Sequence, residues 1–219
     1  EMGRHVLNHT LKRSLQNCPN VKSYLSSMST FNGDIFLLAE NPSGGLYAFL
    51  GDFTGHGLAA AIGTIPVSQV FFSMCEKSMP IMEIASSMNK SLKSFLPEYM
   101  FCAAMLVHVT EPGDKALVWS GGLPDAYIAR PGEGVTTVVK SRHMPLGILD
   151  EDKFNSEVEL HELQRGDKLY VFTDGILEGS AEQEDEMYGE RRLLDSLSQR
   201  VNKGADGEVF DGILEDYHI

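Results

Sequence analysis

Three aspartates of this 219-residue chain lie where apolar runs meet turns that contain glycine. Asp34 opens the run IFLLA, Asp52 closes the run LYAFLG, and Asp174 follows the run KLYVFT. A carboxylate at the end of a buried strand is costly unless its charge is compensated. Three such carboxylates could converge on divalent cations, and hard oxygen ligands with an open, water-rich shell suit Mg²⁺ or Mn²⁺. No His/Cys cluster with zinc spacing competes with this interpretation.

Each aspartate also has an ordinary structural interpretation. Asp followed by Gly is common in turns, where backbone N–H groups satisfy the carboxylate. For Asp52 or Asp174 taken alone, the structural role is the stronger hypothesis. The presence of three such sites in one chain shifts the balance toward a cation site.

The glycine-rich turn after Asp52 does not match the common nucleotide-binding or hydrolase motifs. No lysine lies between Gly51 and Gly63, so the turn cannot be a P-loop. It also lacks the G-x-G-x-x-G spacing of dinucleotide-binding folds. No G-x-S-x-G sequence is present, which leaves a serine hydrolase without its nucleophile.

Strand-like segments come in pairs that are separated by turn residues, and this arrangement predicts antiparallel hairpins. A further strand is predicted at 168–172. The paired strands are IFLLA with LYAFL, FCAAMLVHV with KALVWSG, and AYIAR with VTTVVK. Helices are grouped between the strand pairs, so the sequence predicts an α+β fold with antiparallel sheets.

Four helices of the domain are predicted, at 58–75, from Pro80 to Leu96, at 189–202 and at 206–217. Pro66 should kink or break the first helix. The second should begin with Pro80 at its first helical position, end at Leu96-Pro97, and bury one face. That face comprises Ile81, Ile84, Ala85, Met88, Leu92 and Phe95.

Composition restricts the partners and the compartment. The net charge is −13 and the pI is about 4.9, which argues against a nucleic-acid partner. Three cysteines without a C-x-x-C spacing indicate a reducing, cytoplasmic setting, and no apolar run or signal peptide predicts membrane association. Residues 4–16 have helix-like apolar spacing. This helix could pack on its own domain or form a homodimer with a second copy.

Five motifs together resemble the PP2C-type serine/threonine phosphatases, and most closely their bacterial SpoIIE/RsbU branch. The resemblance covers about residues 31–200, and the motifs are NGD, GDFTGHGLAAA, SGG before a proline, MPLGIL and FTDGILE. It implies a four-layer α-β-β-α sandwich of two antiparallel sheets flanked by helices. It further implies hydrolysis of phosphoserine or phosphothreonine by a water activated at two Mn²⁺ or Mg²⁺ ions. The implied partners are a phosphorylated anti-sigma-factor antagonist and an N-terminal sensor or receiver domain.

The resemblance assigns metal-binding roles to four residues. Asp52 would bridge both ions, the backbone carbonyl of Phe53 would be a second ligand, Asp34 would act through water, and Asp174 would bind the second ion. The glycines near the site would keep the backbone open or closely packed; they are Gly55, Gly57, Gly121, Gly122 and Gly175.

Three polar residues are further candidates. His56 could donate a proton to the leaving oxygen, or it could start the following helix. Thr54 could orient a metal-bound water. Arg142 could bind phosphate, although a solvated surface role is the more common one for arginine.

The chain departs from the family pattern at its C-terminal end. The family ends in a strand that carries Asp-Asp and another metal ligand, whereas residues 206–217 here resemble a helix. We therefore expect residues 1–30 to form a linker helix and connection, and 31–219 a phosphatase domain without that strand. The alternatives are a non-catalytic binding module on the same fold and a metallohydrolase that acts on a small phosphoester.

Overall fold

The computed structural model describes residues 18–25, 33–55, 58–178, 189–202 and 208–216. The predicted helix at 4–16 lies outside these residues. The chain divides into two compact units. The first comprises Glu1–Leu123 and Arg142–Leu163, and the second comprises Pro124–Ser141 and Gln164–Ile219.

The strands of the first unit form one antiparallel sheet with the order β1-β2-β3-β4-β7, once the strands are numbered along the chain. These strands are β1 (Asp34–Glu40), β2 (Leu46–Phe53), β3 (Cys102–Val109), β4 (Lys115–Gly121) and β7 (Glu159–Glu162). The first two hairpins are therefore confirmed. Strand β7 was not predicted, because its four residues, Glu-Leu-His-Glu, carry only one apolar side chain.

Two helices cover one face of this sheet with apolar side chains. They are α1 (Leu58–Cys75) and α2 (Ile81–Phe95). Helix α1 contains Pro66 and runs unbroken through it, so of the predicted kink or break the break does not occur. Ala61, Gly63 and Val67 on its buried side allow close packing, and this tertiary burial outweighs the one backbone hydrogen bond that proline removes.

Helix α2 buries the predicted face, with one exception. Ile81, Ile84, Ala85, Met88 and Leu92 are buried, whereas Phe95 is 50% exposed. Phe95 is the last helical residue and Leu96 follows in extended conformation, so the helix ends before this side chain reaches the core.

Among the residues that the structure describes, the second unit has a three-stranded antiparallel sheet with the order β6-β5-β8 and three helices. Their bounds are β5 (Ala126–Arg130), β6 (Gly134–Val139), β8 (Lys168–Tyr170), α3 (Gly175–Glu178), α4 (Glu190–Asn202) and α5 (Glu208–Asp216). The core of this unit joins Tyr127 and Ala129 to Leu193, Leu197 and Ile213.

Strand β8 is shorter than the predicted segment 168–172, and its three residues are only half-buried. Arg130 and Asp167 fix its start, because Nε and Nη2 of the guanidinium bind the two carboxylate oxygens at 2.7 and 3.0 Å. This hydrogen-bonded pair lowers the pKa of the buried Asp167 carboxyl.

The fold class predicted from the sequence is confirmed, since two antiparallel sheets with accompanying helices define an α+β protein. None of the helices in the described part of the chain has the length and apolar character needed to cross a membrane.

Candidate metal centre

Asp34 and Asp52 lie directly opposite each other in the β1–β2 ladder. The Phe53 amide donates to the Gly33 carbonyl at 3.1 Å, so the neighbouring Asp34–Asp52 position is a non-hydrogen-bonded one. Side chains at such positions approach each other most closely across an antiparallel pair. The hairpin therefore brings two of the predicted metal ligands together at one end of the sheet.

The predicted carbonyl ligand, that of Phe53, lies against the backbone of Gly33. A β-carbon at Gly33 would lie 2.8 Å from the Phe53 carbonyl oxygen and 3.4 Å from the Gly55 carbonyl oxygen. Any residue other than glycine at position 33 would displace these two oxygens. Gly33 thus links the NGD motif to the GDFTG turn, a role that sequence reasoning did not assign to it.

Cys102 lies beside the two carboxylates and was also missed. It is fully buried at the start of β3, opposite Phe53. Burial raises the pKa of its thiol well above the ordinary value, and the charges of Asp52 and Asp34 raise it further, while a hydrogen bond with the Asp52 backbone opposes the rise. The thiol therefore stays protonated beside the acidic pair.

Thr54 fixes the turn after Asp52 to the segment before β3. Its hydroxyl accepts a hydrogen bond from the Phe101 amide at 3.0 Å, and its own amide donates to the Phe101 carbonyl at 3.0 Å. Gly55 follows with a φ of +84°, a value that favours glycine. The Thr54 side chain is therefore engaged in positioning the backbone.

Gly121 and Gly122 let the loop at 142–150 approach the ends of β3 and β4. A β-carbon at Gly121 would lie 2.5 Å from the Met144 carbonyl oxygen, and one at Gly122 would lie 2.5 Å from Cγ of Pro145. Neither glycine could therefore carry a β-carbon without a shift of this loop. Arg142, in the same loop, forms an ion pair with Glu159 of β7.

Asp174 and Gly175 belong to the second unit, where both are exposed at the start of α3. His56 and Gly57 lie outside the described residues. Within the part of the chain that the structure describes, no three His, Cys, Asp or Glu side chains form a ready metal cluster.

The donor chemistry of the first unit nevertheless fits a hard divalent cation. Two carboxylates and a backbone carbonyl are the oxygen ligands that Mg²⁺ and Mn²⁺ prefer. The cradle around the Phe53 carbonyl, which a β-carbon at Gly33 would fill, is a second observation in favour of this fit.

Three solved structures show what this fold resembles. The SiaA-PP2C domain of Pseudomonas aeruginosa has a TM-score of 0.69 at 20% identity, over 85% of this chain and 75% of that chain. The PP2C phosphatase domain of SpoIIE from Bacillus subtilis, solved with a fragment of its regulatory domain, has a TM-score of 0.63 at 17% identity, over 87% and 55%. The catalytic domain of the phosphatase PstP, solved with two manganese ions, has a TM-score of 0.59 at 12% identity, over 90% of each chain. Among curated proteins, none matches the sequence significantly.

These likenesses define the fold as that of PP2C-type phosphatases. The profile of the family described as Stage II sporulation protein E (SpoIIE) matches residues 42–218. The chain therefore belongs to the SpoIIE family, and its fold is that of the PP2C-type phosphatase domains. It spans about three quarters of the SiaA-PP2C chain and about half of the SpoIIE chain.

Proposed function

We propose that this chain hydrolyses phosphoserine or phosphothreonine on a regulatory protein, with Asp52 and Asp34 as metal ligands. The observation that carries the proposal is the direct opposition of these two carboxylates beside the Phe53 carbonyl. Like charges placed directly opposite in a sheet destabilise it, and a bound cation would remove that cost.

Two divalent ions of the Mn²⁺ or Mg²⁺ type, when bound, would lower the pKa of a water molecule and neutralise phosphate charge. Asp52 would hold both ions, with the Phe53 carbonyl as a further ligand and Asp34 acting through water. Thr54 would keep the turn in place through its hydrogen bond with Phe101. Asp174 is proposed as a ligand of the second ion, and His56 as a proton donor to the leaving oxygen.

The proposed substrate is a phosphoprotein of the anti-sigma-factor antagonist type. We propose a cytoplasmic setting, which the three free cysteines Cys18, Cys75 and Cys102 support. An N-terminal sensor or receiver domain and pairing of two copies through residues 4–16 complete the proposed arrangement. These assignments rest on membership of the SpoIIE family.

The decisive experiment is a Mn²⁺ titration of phosphate release from a phosphoserine protein and, in parallel, from p-nitrophenyl phosphate. We expect release that EDTA abolishes. In Asp52→Asn we expect a loss of at least about 100-fold, since even the partners of metal ligands are worth 10–100-fold. Asp174→Asn should also lose activity, whereas Asp152→Asn, in an exposed turn, serves as the control.

The outcomes separate the alternatives. Full activity in Asp52→Asn would exclude the proposed metal centre. Binding of the phosphoprotein without release at any Mn²⁺ concentration would favour a non-catalytic binding module. Efficient hydrolysis of the small ester alone would favour a small-phosphoester hydrolase.

A further inference from the structure

Asn89 is a buried polar residue in the middle of the apolar face of helix α2. Its side chain is 1% exposed, and both of its polar ends have partners. Oδ1 accepts the Gly147 amide proton and Nδ2 donates to the Leu149 carbonyl, each at 2.9 Å. Burying an amide is costly unless it is hydrogen-bonded. Asn89 therefore connects α2 to the loop at 142–150 through two hydrogen bonds of its buried side chain.

The loop that Asn89 holds is also bound to the strand beside the carboxylates. Leu146 and Cys102 exchange two backbone hydrogen bonds, at 2.9 and 2.8 Å. Cys102 is the partner of Phe53 across the β2–β3 ladder. Two successive hydrogen-bonded links thus lead from Asn89 to the strand pair that carries Asp52.

A packing contact connects the same loop to the face on which Asp52 lies. Pro145 lies against Gly122, and a β-carbon at Gly122 would also be 3.2 Å from the β-carbon of Ala103. Ala103 is the direct cross-strand partner of Asp52 in β3. The loop therefore contacts the neighbourhood of Asp52 both through the backbone and through side chains.

Surface contacts between α2 and the loop are weaker by comparison. Lys93 donates to the Ile148 carbonyl at 2.9 Å, and Lys90 pairs with Glu151 at 2.8 Å, with both partners of the ion pair well exposed. Exposed ion pairs contribute about 0–1 kcal/mol. Among the polar contacts between α2 and the loop, the two hydrogen bonds of Asn89 are therefore the ones made by a buried side chain.

We infer that Asn89 is a positioning residue for the Asp52 site, a role that rests on the proposed metal-dependent function. Through Gly147 and Leu149 it holds the loop, and through Leu146 and Pro145 the loop holds the start of β3 beside β2. Loss of its two hydrogen bonds should weaken cation binding without touching any ligand.

The test is Asn89→Leu, which keeps the side-chain size and removes both hydrogen bonds. Direct Mn²⁺ binding by calorimetry and the Mn²⁺ concentration at half-maximal phosphate release are measured together with the Tm in EDTA. We expect Mn²⁺ affinity to fall about 10-fold or more, as for other residues that orient ligands. The turnover at saturating Mn²⁺ should change much less.

The matched control is Ser68→Ala in helix α1. Ser68 is also fully buried, and its hydroxyl donates only within its own helix, to the Thr64 carbonyl at 2.7 Å. It should lower the Tm without changing Mn²⁺ affinity. If Asn89→Leu does not fold, Asn89→Asp keeps the acceptor for Gly147 and should show a smaller loss of affinity.

Three results would overturn the inference. Unchanged Mn²⁺ affinity in the Asn89 variants, with normal binding in the wild-type chain, would overturn this inference and leave the proposed function standing. A wild-type chain that binds no Mn²⁺ would overturn both this inference and the proposed function. Equal losses of affinity in Ser68→Ala and Asn89→Leu would show that stability, not position, is responsible.

Discussion

Asp34 and Asp52 are direct cross-strand partners at a non-hydrogen-bonded position, where opposed side chains lie closest. Placing two carboxylates there opposes the stability of the hairpin, because like charges directly opposite repel. A sheet selected only for stability would place an opposite-charge or apolar pair at this position. The arrangement is therefore understandable as a site for a cation rather than as part of the scaffold.

Because of this repulsion, Asp34→Asn should raise the stability of the chain in the absence of metal and reduce the further stabilisation that metal binding provides. In EDTA the variant should be more stable than the wild-type chain by up to about 1 kcal/mol, the range of cross-strand pair energies. With Mn²⁺ the wild-type Tm should rise and the variant Tm should rise less, because one ligand charge is gone. Thermal unfolding in both conditions, with Asp152→Asn as the control, measures the difference. A variant less stable in EDTA would contradict the prediction.

Gly33 should be intolerant of even a single methyl group. In Gly33→Ala the new β-carbon would lie 2.8 Å from the Phe53 carbonyl oxygen, so backbone must move. We expect a loss of about 1–3 kcal/mol of unfolding free energy, as for other overpacked sites, together with weaker Mn²⁺ binding. Gly175→Ala is the comparison, since its β-carbon would meet nothing closer than 3.9 Å. Urea unfolding of both variants would test this, and equal stabilities would refute it.

Thr54 should contribute to stability through its hydroxyl oxygen. Thr54→Val keeps the shape and leaves the Phe101 amide without the acceptor that it now has at 3.0 Å. An unsatisfied donor of this kind costs about 1–3 kcal/mol. Thr54→Ser, which keeps the hydroxyl, should stay close to the wild-type stability. If valine and serine behave alike in denaturant unfolding, the hydrogen bond has no such role.

His108 should make the first unit less stable as the pH falls. Burial lowers its pKa below the ordinary 6.5, although the Gly44 backbone partly opposes this shift. Asn41 Oδ1 accepts the Ser43 amide proton, so Nδ2 faces His108 Nε2 at 2.9 Å and donates to it. That bond requires Nε2 without a proton.

The sign of the pH dependence follows from this lowered pKa. Above about pH 6.5 the ring is neutral in both states, and its full contribution is present. As the pH falls below this value, the unfolded chain binds the proton first, so stability decreases toward the lower pKa of the folded state. Urea unfolding of wild type and His108→Gln between pH 8 and pH 5 should converge at the acid end. If the unfolding free energies of the two proteins stay parallel across this pH range, His108 is not the source of the pH dependence.

The hairpins and the acidic pair were accessible from the sequence because they depend on local signals. The turn Asn41–Gly45 fixes the register between β1 and β2, and that register alone places Asp34 opposite Asp52. The helix α2 was likewise predictable from its apolar spacing. Local patterns failed at Pro66, where tertiary burial decides, and at Phe95, where the helix ends before the side chain reaches the core.

The connection through Asn89 could not have been predicted in this way. In the sequence, Asn89 is a single polar residue between apolar positions, and its partners lie 58 and 60 residues further along the chain. Gly33 was similarly hidden, because the need for glycine arises from a carbonyl on the neighbouring strand. Such requirements depend on atoms that only the folded chain brings together.

The loop at 142–150 has almost no regular secondary structure, yet its amides are tied to a helix and a strand. The Leu146 amide donates to Cys102 and the Gly147 amide to buried Asn89. In heavy water these two amides should therefore exchange more slowly than ordinary loop amides, because each is freed only when the loop separates from β3 or from α2.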